Sequence, residues 1–132
     1  MPDLRLVAVV AHDAKKDELL AFLDLHSSAF RPHELIATES TGLLLQACSD
    51  LRVKLVQSGP WGGDAQLGSL ITDGLVHSLF FFFDPLSAQP HDVDVKSLLR
   101  LATLHNIPYA CNTASAEYLV LSPLWENPIV NV

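Results

Sequence analysis

The chain has 132 residues, enough to bury a core as one domain, 1–132, without disulfides or a metal. Charged residues make up 17% and the net charge is −7, from 8 Lys+Arg against 15 Asp+Glu, with no basic run. That balance argues against nucleic acid or an anionic membrane as a partner. Hydrophobic residues reach 49%, yet no apolar run approaches the roughly 20 residues that span a bilayer. The charged share falls below the roughly 25% usual for a globular domain, which points to surface covered by further copies, a homo-oligomer. Cys48 and Cys111 lie far apart in apolar stretches and form no metal or redox spacing, as expected in a reducing, cytoplasmic compartment. MPDLRLVAVVAHD does not read as a signal peptide, because His12-Asp13 interrupts it early.

Taken in order, Leu4 to Val10 is a short β-branched run and reads as a strand. Asp13 to Ala29 has helical spacing, with Leu19, Leu20, Phe22 and Leu23 apolar. Glu34 to Ala37 is a second strand. Thr41 to Ser49 is a helix, with Leu43, Leu44 and Ala47 on one side. Arg52 to Val56 alternates polar and apolar, as a strand near the sheet edge does. Ser58 to Gly63 (SGPWGG) is a loop, followed by a short helix, Asp64 to Asp73, that Gly74 ends. Val76 to Phe83 (VHSLFFFF) is apolar enough to be buried on both faces. Asp84 to Pro90 is a loop. Asp92 to Asn106 is a helix with Val95, Leu98, Leu99, Ala102 and Thr103 inward. Ile107 to Cys111 is the fifth strand and Thr113 to Leu121 the last helix. Asn127 to Val132 is short and extended. Alternating strands and helices imply an α/β fold: a five-stranded, mostly parallel sheet between helical layers, of flavodoxin/Rossmann type.

In such sheets ligands bind beyond the carboxyl ends of the strands. The residues that follow each strand are His12, Asp13 and Lys16; Thr38, Glu39, Ser40 and Thr41; Ser58, Gly59 and Asp64; Asp84, His91 and Asp94; and Asn112, Thr113 and Ser115. Hydroxyls, glycine amides, helix N-termini and Lys16 suit a phosphate, although no Walker loop is present. Carboxylates beside imidazoles suit proton transfer next to a carbonyl. Together they point to a small phosphorylated ketone or aldehyde. Each residue also has a plainer reading. Ser40 or Thr41 can simply cap a helix, and Asp94 can simply favour a helix N-terminus. His77 and His105 read as strand-edge and helix-end residues.

The segments AHDAKK (11–16), ATESTG (37–42), QSGPWGGDAQLG (57–68), FFDPLSAQPHDVDVKSLLRLA (82–102) and IPYACNTASAE (107–117) resemble methylglyoxal synthases. The resemblance runs from about residue 5 to residue 126. It implies a methylglyoxal synthase-like fold that converts dihydroxyacetone phosphate to methylglyoxal and inorganic phosphate, needs no metal or organic cofactor, and assembles as a homohexamer. By position, it makes Asp64 the base that takes a C3 proton and His91 the group that polarises the carbonyl. It assigns substrate and phosphate binding to His12, Lys16, Thr38, Glu39, Ser40, Thr41, Ser58 and Gly59. Asp13 and Asp94 become further catalytic carboxylates, and Arg100 a residue that pairs across a subunit boundary. Where the family loop reads T-G-T-T-G, this chain has Thr38-Glu39-Ser40-Thr41-Gly42. No arginine follows Arg100, so Lys16 is the expected cation of the cradle. The alternative within the same fold is a non-catalytic sensor of phosphate or a phospho-metabolite.

Overall fold

The computed structural model describes residues 6–57, 62–86 and 95–126. The elements run β1 (Leu6–Ala11), a 3-10 turn (Asp13–Lys15), α1 (Lys16–Leu25), α2 (Ser27–Phe30), β2 (Leu35–Thr38), α3 (Glu39–Cys48), β3 (Val53–Val56), α4 (Gly63–Thr72), β4 (Val76–Phe82), α5 (Val95–Leu104), β5 (Tyr109–Ala110), α6 (Thr113–Leu121) and a closing 3-10 turn (Pro123–Trp125). The strands form one five-stranded sheet in the order β3-β2-β1-β4-β5, and every pairing is parallel. β3 is an edge strand, as its alternation predicts, and β4 is interior and buried along its whole length.

Successive side chains of a strand point to opposite faces, so the sheet separates two cores. Val7, Val9, Leu35, Ala37, Phe80 and Phe82 pack against Leu19, Phe22, Leu23, Phe30, Leu45 and Val120 on one face. Ala8, Val10, Ile36, Leu79 and Phe81 pack against Leu67, Ile71, Leu98 and Ala102 on the other. Thus α1, α2, α3 and α6 cover one side, and α4 and α5 the other. Strand order turns back between β1 and β4: β2 and β3 lie to one side, β4 and β5 to the other. With helices switching faces at the same place, the crossovers keep one hand. The ends of β1 and β4 therefore border the crevice where a sheet of this kind receives ligands.

The phenylalanine run is core. Phe30 meets Phe80 at 5.5 Å (73°) and Trp125 at 5.5 Å (70°), edge to face. Burial of each such ring contributes about 2–3 kcal/mol relative to exposure. Trp125 Nε1 donates to Ala29 O at 3.0 Å, so its polar end is satisfied too.

Several local expectations change. α3 starts at Glu39, and its inner face is Thr41, Gly42 and Leu45, while Leu43 is 51% exposed. The helix lies close to the sheet at Gly42, where a Cβ would run into the Leu55 side chain. That close approach, which only glycine permits without a shift, belongs to the sheet-facing side of the helix, while Leu44 is half-buried and Ala47 exposed. Thr103 is exposed, and its hydroxyl donates to Leu99 O at 2.8 Å instead of turning inward. His77 is not a strand-edge residue. The register between β1 and β4 slips by one residue, from Leu6↔Val76 to Val7↔Ser78, so His77 is the extra residue of a bulge. Its ring is buried, with Nε2 donating to Trp125 O at 3.1 Å. Cys48 is exposed. Cys111 is half-buried, and burial pushes its thiol up. The expected C-terminal extended segment, 127–132, lies outside the described residues.

Candidate active site

At the end of β1 the chain makes a tight turn. Amide N–H groups of β1 alternate between its neighbours. Leu6 and His12 donate to β4's side, at Leu75 O (2.7 Å) and Phe82 O (3.1 Å), and Val7 donates to β2's side, at Glu34 O (3.0 Å). Ala11 points to β2's side as well, but there β2 has already turned into α3. Thr41 fills the missing rung. Its Oγ1 accepts from Ala11 N at 3.2 Å and donates to Ala11 O at 3.3 Å, and the residue is 1% exposed. Of the four residues in the expected phosphate loop, Thr41 thus has its hydroxyl on the protein backbone. It neither caps α3 nor faces outward.

Thr38 is the N-cap of α3, with extended backbone (φ −63°, ψ 156°), and its side chain makes no capping bond. Glu39 and Ser40, expected in a loop, are the first two residues of the helix. Glu39 has helical backbone and an exposed side chain. The glycine usual in the family is therefore not required here for its conformation. The first-turn amides of α3 have no partner within the helix, and the helix's positive end faces the strand ends.

Lys16, at the start of α1, crosses from β1 to β2. Its Nζ donates to Asp13 Oδ1 at 2.6 Å and also to Ser40 Oγ. The Lys16 side chain is 16% exposed and that of Asp13 84%. The lysine is held in place while its partner faces water. The hydrogen bond from Lys16, and then its charge, hold the Asp13 carboxyl below its ordinary range. His12 lies at the switch point itself, 6% exposed. Its Nδ1 accepts from the Asp84 amide at 3.0 Å, and its ring meets the edges of Phe81 (5.6 Å) and Phe83 (6.4 Å). The Asp84 carboxylate in turn accepts from Leu86 N at 3.0 Å, an Asx turn that shapes the exit of β4.

Asp64 is the second residue of α4, which follows β3. In a parallel sheet, that start belongs to the same edge as His12 and Thr38. Gly62 caps the helix in the left-handed region (φ 94°), where a side chain would be strained by about 1–2 kcal/mol. The Asp64 carboxylate accepts from Ala65 N at 2.9 Å, and Gln66 Oε1 accepts from Gln57 N at 2.7 Å, tying α4 back to the end of β3. Asn112 caps α6 by accepting from Ser115 N at 2.9 Å, so those two polar groups have a local role. Ser58, Gly59, His91 and Asp94 lie outside the described residues. Among the described residues no cluster of His, Cys, Asp and Glu could hold a metal. None of the described helices is long and apolar enough to cross a membrane.

The sequence reading missed the Asp84 main chain, whose N–H acts on His12. A main-chain donor leaves no mark in residue identity. The opposite sheet edge is also less bare than its connectors suggested, since the rings of His33, His77 and Trp125 pack there, tilted or edge to face, with centroids 4.7–5.2 Å apart.

Comparison with known proteins places this arrangement. The family model described as the MGS-like domain matches residues 18–111. A methylglyoxal synthase of Cellvibrio japonicus is 48% identical over 129 residues, which cover 98% of this chain and 84% of that protein. One from Photorhabdus laumondii is 49% identical over 129 residues, covering 98% of this chain and 85% of the relative. This chain belongs to the methylglyoxal synthase family. The crystal structure of methylglyoxal synthase from Elizabethkingia anophelis superimposes with a TM-score of 0.89 at 44% identity, covering 96% of this chain and 83% of that one. The α/β fold is thus the family's own, and the strand-end cluster of His12, Asp13, Lys16 and Ser40 sits in a methylglyoxal synthase scaffold.

Proposed function

We propose that this protein is a carbon–oxygen lyase that converts dihydroxyacetone phosphate to methylglyoxal and inorganic phosphate. The observation that carries the reading is kinship over nearly the whole chain to methylglyoxal synthases, with Asp64 heading a helix at the same sheet edge as the Lys16 turn.

The reaction begins when the Asp64 carboxylate takes a proton from C3, and the electron pair moves toward the carbonyl to give an enediolate. His91 polarises that carbonyl. If the C–O bond to phosphate stands perpendicular to the enediolate plane, it overlaps the π system. It then breaks with its electron pair, and inorganic phosphate leaves. The remaining enol takes a proton at its terminal carbon and becomes methylglyoxal. The balance needs no redox partner. The protein's main task is to hold the phosphate torsion, and several fixed donors do that better than one. Lys16, immobilised by Asp13 and Ser40, supplies charge. Amides at the head of α3, with Ser58 and Gly59, supply donors. Asp94 assists as a further carboxylate, and Thr41 acts by fixing α3 to β1.

We extend the proposal to a cytoplasmic homo-oligomer, with a hexamer as the family's assembly. Free Cys48 and Cys111 suit a reducing compartment. Exposed Tyr118 (82%), Leu121 (70%) and Leu124 (51%) around the end of α6 suit contact with further copies. The test is direct. Purified protein with dihydroxyacetone phosphate should release methylglyoxal, trapped as its diamine adduct, and stoichiometric phosphate. Asp64→Asn should slow release by about 10²–10⁴-fold. No methylglyoxal above the buffer rate would end the proposal.

A further inference from the structure

We infer that His12 works in the site as a neutral imidazole that donates through Nε2–H, its tautomer set by the main-chain amide of Asp84. The inference rests on the lyase reading for its chemical meaning, but its geometry stands independently.

A backbone N–H can only donate. When the Asp84 amide points its hydrogen at His12 Nδ1 at 3.0 Å, that nitrogen must offer a lone pair. The single ring proton is then on Nε2. Protonating Nδ1 would bring two N–H groups face to face at a histidine that is itself only 6% exposed, leaving both without an acceptor. The turn cannot easily yield. His12 N donates to Phe82 O at 3.1 Å and His12 O accepts from Lys15 N at 2.8 Å, so the backbone is pinned on both sides of the ring. Asp84 is pinned by its own carboxylate, which accepts from Leu86 N at 3.0 Å.

Among the described residues, the edges of Phe81 and Phe83 flank the ring. Asp13, next in the chain, is already engaged by Lys16 at 2.6 Å. Asp84 directs its carboxylate to Leu86, and Glu39 on α3 is exposed to water. Among the described residues at this edge, Lys16 carries the charge that Asp13 and Ser40 hold in place, and on this inference His12 adds a directed donor and no second cation. That division suits an elimination in which phosphate must be held at one torsion and then let go. A neutral donor fixes direction, whereas a second full charge would retain the product. Asp84 is on this account a positioning residue: its side chain shapes the turn, and its main chain sets the histidine.

The test reads the ring itself. Uniformly ¹⁵N-labelled full-length protein at pH 7.5 should show the His12 ring as the Nε2–H tautomer, with Nδ1 unprotonated and accepting. The signal is assigned by its loss in His12→Asn. Asp84→Asn, whose amide oxygen still accepts from Leu86, should keep that tautomer, and Asp84→Ala should give a mixture of both. Should a variant fail to fold, the wild-type spectrum decides alone. An Nδ1–H tautomer or an imidazolium in the wild type at that pH overturns the inference. So does an Asp84→Asn spectrum as mixed as that of Asp84→Ala. The spectrum needs no turnover, so an inactive protein with the expected tautomer would count against the lyase reading and not against this one.

Discussion

Replacing Thr41 by valine removes one hydroxyl and keeps the side chain's volume. In the structure that hydroxyl serves both Ala11 N (3.2 Å) and Ala11 O (3.3 Å) at a residue 1% exposed. A buried amide left without an acceptor costs about 1–3 kcal/mol; the length of these bonds favours the lower half of that range. The carbonyl, with a second lone pair, adds less. The extra methyl returns about 0.8 kcal/mol. The net loss is then about 1–2 kcal/mol, or a fall in Tm of roughly 4–8 °C for a chain of this size. Thr41→Ser keeps the rung and loses one buried methyl, about 1 kcal/mol. Urea unfolding of both variants at fixed protein concentration, with an unchanged slope, is the assay. A hydroxyl that instead bound phosphate directly would behave differently. Thr41→Val would then unfold like the wild type while KM rose about tenfold or more, and that pair of results would refute the structural role.

Lys16→Met should raise KM for dihydroxyacetone phosphate by about 10–150-fold, the equivalent of one charge-assisted hydrogen bond, in steady-state assays at constant ionic strength. Asp13 has its carboxyl held down by Lys16, so its pairing is present above the ordinary value of 3.8 and is lost as pH falls through the lower folded value. Carboxyl NMR titration should therefore give a midpoint below 3.8, returning toward it in Lys16→Met, and acid should not break the pair between pH 5 and 8. Glu39→Gln should tighten substrate binding by less than about fivefold, and by less still in high salt, because the carboxylate is exposed and screened. A tenfold or larger gain would mean that Glu39 faces the phosphate.

The sequence by itself determined the layer architecture. Period-2 and period-3.6 patterns, the apolar run at Val76–Phe83 and the alternation at Arg52–Val56 mark strand, helix, interior and edge, because burial acts on each element's own periodicity. It also marked the edge at which polar groups collect, since loops after parallel strands all emerge there. It did not determine what each polar atom does. Thr41 reads as a phosphate ligand or a cap until β2 is seen to end one rung short of β1. Glu39 reads as a break in a glycine loop until it proves to be the first residue of a helix. His77 reads as an edge residue until a one-residue slip against β1 is seen to fold it under Trp125. Asp84 reads as a carboxylate, while its main-chain N–H is what meets His12. Hydrogen bonds between segments dozens of residues apart depend on register and on where strands stop. Those quantities belong to the packed chain as a whole, and no local stretch of sequence carries them.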